Sequence, residues 1–424
     1  MTTVVWFKRD LRTRDHAPLV AAANLGEPVI ALYVIEDDYW QQPDTSGRQW
    51  CFIRDSLEDL DKQLRKAGNQ LVVLRGTVIG ALSELKASHA IERVFCHQET
   101  GGQWTFERDK AVIQWCSDNQ IEFREWNQFG VVRRLKDRDI WDKTWTELMR
   151  QPVLEAPGSV PFAGAIQGVA WRGIEPGATA ADRCPDRQTG GSIRGETLLA
   201  SFLERRCVGY QYNISSPNTA VRACSRLSPH IAYGTVSLRE IYQQAKAAGI
   251  HRNTLPRKQK SLTSFRSRLH WREPALHLAR LFTDFEPGIH YSQTQMQSGL
   301  TGINALRIYN PVLQSQKLDP HGEFIRRWIP ELAGVPEEMI HTPWLMTPAQ
   351  KAKFGGNTYI APVCDHEQAA RAARKAVGDF RKQHVSREET GRVLHRHGSR
   401  KGSHQTRPKS ASQPPPDNQL SLFD

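Results

Sequence analysis

Long apolar runs are missing from this 424-residue chain, so no segment predicts a membrane-spanning helix. A secretory leader is missing as well. Lys8, Arg9 and Asp10 fall where a leader would carry its apolar stretch, which predicts a cytoplasmic protein. Seven cysteines are present, at positions 51, 96, 116, 184, 207, 224 and 364, and none forms a C-x-x-C pair. That spacing argues against a zinc ribbon, a disulfide scaffold or a clustered iron–sulfur centre. No metal is expected, and the usage fits a reducing cytosol. The first glycine is Gly26, so no G-x-G-x-x-G opens a helix after the first apolar run, and no Walker loop occurs. The common dinucleotide and ATP sites are therefore disfavoured.

What is present is a formal charge of +12, unevenly placed. Residues 371–409 hold twelve Lys and Arg against only Asp379, Glu388 and Glu389. The first 370 residues are close to balanced. A basic segment of this kind suits a polyanion, whereas its plain alternative is a solvated tail.

The first 130 residues alternate two patterns. Short apolar or β-rich runs stand at 3–7, 29–35, 71–75, 93–96 and 122–126, and helical periodicity lies between them, as from Cys51 to Lys66. Alternating β and α predicts a parallel sheet covered on both faces. Residues 151–192 are rich in Pro, Gly and Ala and read as a connection over the surface. Helical patterns follow at Gly195–Arg206, Ser225–Ala247, Arg272–Phe285 and Glu323–Leu332. Asp365, with Gln368 behind it, predicts the capped start of a basic helix to about Gln383. The fold class is α/β followed by all-α. The expected divisions are an α/β domain at 1–132, a connection at 133–192, a helical domain at 193–362, a basic helix region at 363–396 and a disordered tail at 397–424.

Three tracts carry a resemblance. They are the opening VVWFKRDLR, the tract SRLSPHIAYGTVS at 225–237, and RIYNP at 307–311 with DPHGEFIRRWIPEL after it. Together they resemble the DNA photolyase/cryptochrome family, bacterial type. The resemblance implies a Rossmann-like antenna domain, then a helical domain that holds FAD. It places Tyr212, Cys224, Ser225, Arg226, Leu227 and Ser228 at the flavin and its phosphates. Cys224 stands where the family usually has Thr. By position, Asp284 and Glu286 take the acidic roles at the ring and ribose, and His290 lies near the ring. Trp271 is placed to stack on a lesion, and Arg307 and Arg326 to contact DNA phosphates. His97, Gln98, Glu99, Arg108 and Asp109 match a polar wall beside the antenna pigment; taken singly, they read as ordinary surface. The family allows a second pigment, a folate or a deazaflavin. The partner implied is damaged duplex DNA, and the chain is expected to be a monomer.

Two departures accompany the resemblance. The family's Trp-Gln-Trp after the acidic element is replaced by residues 291–297, YSQTQMQ. A long helical block that the family carries between segments like SFRSRLHW and WREPALHLARLF has no trace here, so the two meet at 271–272. Removing several core helices strips cover from those that remain. At ~25 cal/mol per Å² of apolar surface, a few lost interfaces outweigh a stability of roughly 5–15 kcal/mol. Damage to the helical domain and a weakened hold on FAD are expected. Three functions follow: dimer repair, flavin light sensing without repair, or a remnant with a DNA- or clamp-binding tail.

The last six residues, QLSLFD, end a Pro-rich polar stretch. Gln419, Leu420, Leu422 and Phe423 resemble the short ligand by which bacterial repair proteins dock on the polymerase sliding clamp. Adjacent apolar anchors on a tether suit a hydrophobic pocket. A peptide of residues 412–424 is expected to bind a bacterial sliding clamp, and its Leu422→Ala, Phe423→Ala version is not. Equal binding by both, or none by either, rules the clamp out.

Overall fold

The computed structural model describes the chain except for positions 44, 133–137, 165, 177–183, 185, 251–253, 283–307, 357, 385–387 and 389–424. Five strands form its sheet: β1 Thr2–Phe7, β2 Val29–Ile35, β3 Leu71–Arg75, β4 Ile91–His97 and β5 Glu122–Trp126. The order is β3-β2-β1-β4-β5, and every neighbouring pair is parallel. Every residue of β1 and β2 is buried, as central strands covered on both faces require.

Alternation along the strands sorts the side chains to two cores. Helices α1 (Ala17–Asn24) and α2 (Gly47–Lys66) cover Val5, Phe7, Ala31 and Val73, with Leu57, Leu60 and Leu64 of α2 fully enclosed. Val4, Trp6, Ile30 and Leu32 face the other way, against α3 (Val78–Ser88) and α4 (Gln103–Asp118). The helix expected from Cys51 starts at Gly47, because Ser46 and Gln49 form a reciprocal capping box there.

The stretch expected to cross the surface is partly core. It begins with helix α5 (Arg138–Arg150), which buries Trp141, Trp145 and Met149. Farther on, Val160 and Trp171 join the α2-side core. The Val169 amide donates to the Val73 carbonyl at 2.8 Å. Strand β3 is an edge, so its outward carbonyls need partners, and the connection supplies them.

The chain divides into two compact units. The first is Met1–Leu135, Asp139–Gly209 and Ala223–Tyr291, and the second is Lys136–Arg138, Tyr210–Arg222 and Ser292–Asp424. Between Ser192 and Ala232 lie α6 (Ser192–Glu204), α7 (Tyr210–Asn213), α8 (Pro217–Ala223) and α9 (Ser228–Ala232). The single helical stretch expected at 225–247 is in fact α9 and α10 (Leu238–Ile250). Gly234 breaks it with a φ of +62°, and a Cβ there would meet the Arg9 carbonyl and lie 2.6 Å from the Asp10 Cα. The Leu11 amide reaches the Tyr233 carbonyl at 3.1 Å. Helix α11 (Pro256–Phe282) then runs unbroken through 271–272, with Leu262, Phe265 and Leu269 buried.

The second unit adds α12 (Pro311–Leu318), α13 (Glu323–Trp328), α14 (Glu337–Ile340), α15 (Pro348–Phe354) and α16 (His366–His384). The helix expected to reach Leu332 stops at Trp328, before a single 3₁₀ turn at Pro330–Leu332. Asp365 Oδ1 accepts the amides of Glu367 and Gln368 at 2.8 and 3.1 Å, so the expected cap of the basic helix is present. Among the described residues, the unit has a core cluster of Leu332, Val335, Ile340 and Met346. Trp328, Phe380 and Val363 are 60%, 59% and 97% exposed.

Replacing Gly234 by Ala combines backbone strain with a clash against the turn after β1. A loss of about 2–4 kcal/mol is expected in chemical denaturation, because neither backbone segment can give way. A change below about 0.5 kcal/mol would show that the close approach is dispensable.

Candidate cofactor and ligand sites

In an open parallel sheet, ligands gather at the carboxyl edge where strand order reverses, here between β1 and β4. The residues just past β1, β2 and the tip of β4 are charged or polar: Lys8 to Asp10, Glu36 and His97. Asp10 is the centre of one group. Its Oδ1 accepts the Lys8 amide at 2.7 Å, and its Oδ2 accepts His97 Nδ1 at 2.8 Å and His16 Nε2 at 2.9 Å. His16 Nδ1 accepts the Leu19 amide, capping α1, so its proton sits on Nε2. Burial alone would raise the Asp10 carboxyl; the two imidazoles more than offset it and hold it well below the ordinary range. Burial pushes His97 down to about 3 and lowers His16 too, so both rings are neutral. The three side chains could in principle ligate a metal, but each donor already serves a hydrogen bond in an enclosed space.

A second group lies alongside. Arg108 contacts Glu99, donates to Glu36 at 2.8 Å and Asp109 at 2.9 Å, and lies 4.9 Å from the Trp6 ring. Lys8 Nζ meets Asp109 at 2.9 Å, and Arg9 meets Glu99 at 3.1 Å. Glu99 and Asp109 are buried, so the wall that reads singly as surface is a closed ion-pair network. Part of the sequence signal was available: Lys8, Arg9, Glu36 and Glu99 follow strand ends, whereas Arg108 and Asp109 lie in the second turn of α4.

The tract at 224–228 belongs to the first unit. Arg226 has a left-handed backbone, φ +65°, and Ser225 Oγ accepts the Leu227 amide at 3.4 Å. Arg206, which no motif singled out, orders the loop from below. Its guanidinium takes the carbonyls of Cys224, Leu198 and Ser225, and its Nε donates to Ser201. In a trans peptide the N–H points opposite the C=O. With the carbonyls of Cys224 and Ser225 held by Arg206, the amides of Ser225 and Arg226 face away from it. Burial and the nearby Arg226 charge lower the Arg206 pKa. Neither arginine has a carboxylate partner among the described residues. The two outward amides and the Arg226 guanidinium form a donor set that fits a pyrophosphate, and Arg206 behind the loop adds positive charge with no acid to offset it. Cys224 contributes its carbonyl to this arrangement, and burial raises its thiol. Leu227 is fully buried beneath the loop and Ser228 opens α9.

The other expected residues fall elsewhere. Tyr212, in the second unit, is 61% exposed on α7. Trp271 lies on α11, but its side chain is outside the described set, as are Asp284, Glu286, His290 and Arg307. The same holds for Gln419, Leu420, Leu422 and Phe423. Arg326 turns its guanidinium onto the carbonyls of His321 and Val335, which ties α13 to the following turn. Asp319 clasps the same region, accepting the Phe324 and Ile325 amides at 3.1 and 3.0 Å and Asn218 at 2.7 Å. Among the described residues, no helix is long and apolar enough to cross a membrane.

Acidification below the ordinary histidine range charges His16 and His97 in the unfolded chain before the folded one. Stability is therefore full above about pH 6.5 and lost as pH falls toward the folded values, at about 1.4 kcal/mol per unit for each ring. The melting temperature should drop between about pH 7 and pH 5, and less so in His97→Gln, which keeps a donor for Asp10. Equal drops would place the acid sensitivity elsewhere.

Comparison with known proteins agrees with this layout. The family described as DNA photolyase matches residues 3–133, and the FAD binding domain of DNA photolyase matches residues 252–379. A deoxyribodipyrimidine photo-lyase of Streptomyces griseus is 24% identical over 470 positions, spanning 88% of this chain and 99% of the relative. Cryptochrome DASH of Gloeobacter violaceus is 22% identical over 497 positions, spanning 92% and 98%. The crystal structure of a bacterial class III photolyase from Agrobacterium tumefaciens superposes with a TM-score of 0.71 at 22% identity, covering 90% of this chain and 98% of that one. Both sequence alignments are longer than the 424-residue chain itself, so the relatives contain positions with no counterpart here.

Proposed function

Because the chain belongs to the DNA photolyase/cryptochrome family, we propose that it is a flavin-dependent, blue-light-driven enzyme that splits pyrimidine dimers in DNA. The reading rests on the match of residues 252–379 to the photolyase FAD domain. Bound FAD would supply the light absorption and the electron that dimer splitting needs. The chain's own part is placement and charge. The amides of Ser225 and Arg226, with the Arg226 guanidinium, hold the pyrophosphate, while Arg206 holds the loop from behind. By the resemblance Tyr212 contacts the flavin, while Leu227 supports the loop from beneath and Ser228 opens the helix after it. Asp284 and Glu286 act at the ring and ribose, and His290 beside the ring. Trp271 stacks on the flipped lesion and Arg307 holds the strand by its phosphates. Arg326 supports that contact by fixing the turn at 321–335. The resemblance allows a second pigment in the α/β domain, a folate or a deazaflavin; the chain acts as a cytoplasmic monomer, and its last residues tether it to the sliding clamp.

The likeness to a cryptochrome supports a second reading, a flavin light sensor without repair. Both readings are separated by one preparation. The purified chain is titrated with FAD by fluorescence, then illuminated with blue light in the presence of an oligonucleotide carrying a cyclobutane dimer. Repair predicts flavin uptake and dimer loss in the light only. Uptake and photoreduction with the dimer intact support the sensor. Affinity weaker than tight stoichiometric binding is expected from the missing block, and no uptake at any concentration ends both readings.

A further inference from the structure

We propose that a groove between the turn at 308–310 and one face of α16 seats a phosphodiester of the DNA backbone, a contact that rests on the DNA-binding reading above. The groove holds about 230 Å³ and lies wholly within the second unit. Tyr309 and Asn310 line one wall, and His366, Glu367, Arg371 and Arg374 line the other. Residues 367, 371 and 374 follow four- and three-residue spacing, so they share one face of the helix. Asn310 Oδ1 accepts the Val312 and Leu313 amides, capping α12, which leaves its amide nitrogen as a donor.

The charges decide the class of ligand. Arg371 and Arg374 are exposed, and neither is in an ion pair among the described residues. Arg371 acts on Asp365 only at a distance, as a minor influence behind the Gln368 and Glu367 amides that hold that carboxylate low. Glu367 is the one acid in the wall. It sits in the first turn of α16, where the helix dipole accounts for a carboxylate, and the two guanidiniums outnumber it. Planar guanidiniums match a phosphate group, and it is this charge and donor geometry that favours a phosphate. Exposed Lys375 and Lys382 extend the same side of the helix, four and eleven positions after Arg371. Beyond them the sequence stays basic to position 409. A single small anion would use only the groove, whereas a polyanion uses the groove and the line that leads from it.

The test measures binding of the full chain to a labelled, undamaged DNA duplex by fluorescence anisotropy across a salt series. Arg371→Ala with Arg374→Ala is compared with Lys351→Ala with Lys353→Ala, a basic pair on α15 of the same unit. The arginine pair should flatten the slope of log affinity against log salt by roughly 0.9 per cation removed, and weaken binding at low salt about tenfold. The lysine pair should leave both unchanged, with all variants matching the parent in circular dichroism and melting. An unchanged slope in the arginine variant overturns the groove contact, as does an equal effect from the lysine pair. A parent chain that binds no duplex at all removes the DNA-binding reading itself, which the variant comparison would not do.

Discussion

One buried carboxylate holds the working edge of the sheet together. Asp10 ends the first strand's turn, accepts a backbone amide and two imidazoles, and stays ionised without a formal cation in contact. A carboxylate inside a protein costs several kcal/mol unless it is fully bonded, so this site tolerates little rearrangement. Three separate elements are fixed by it: the turn after β1, the start of α1 and the tip of β4. Arg12 extends the same turn outward, donating to the Asp15 and Gly234 carbonyls. Arg239 closes the loop by binding Asp15 at 2.7 Å. The sheet edge and the first helices of the α-rich part are thus one bonded assembly within the first unit.

The phosphate-type loop shows the complementary situation. Its donors are prepared but not consumed. Arg206 spends its guanidinium on carbonyls instead of on an acid, which turns the neighbouring amides outward and leaves the site positive. At the sheet edge every charge is answered; at 224–228 it is not. That contrast separates a structural network from a ligand site, and burial agrees with it: the network is enclosed, whereas residues 224–226 are half-buried and Ser228 is exposed.

Much of the fold was legible. The strands at 29–35, 71–75 and 122–126 were marked by β-rich runs with turn residues at both ends, and the cap at Asp365 by side-chain chemistry alone. What was hidden depended on long-range contact. The break at Gly234 is invisible to periodicity, because its cause is the backbone of residues 9 and 10. Val160 and Trp171 lie in a Pro/Gly-rich stretch that local composition assigns to the surface; Ala67, Asn69 and the start of β2 draw in the first, and the open edge of β3 the segment of the second. Arg206 carries no motif, and its importance arises from where Cys224 and Ser225 point their carbonyls. The residues expected around the flavin ring fall at 284–290, outside the described set.

The bond from Arg12 to the Gly234 carbonyl joins positions 222 residues apart in sequence. During synthesis the N-terminal strands emerge first and can pair among themselves, since their helices are local. The turn after β1 cannot complete its bonds until residue 234 has left the ribosome. For most of translation, the Arg12 guanidinium and the carbonyl sides of that turn remain open to water. The α/β part of this chain therefore reaches its final form late, by capture of a distant glycine, and its folding rate carries the entropy of closing that long loop.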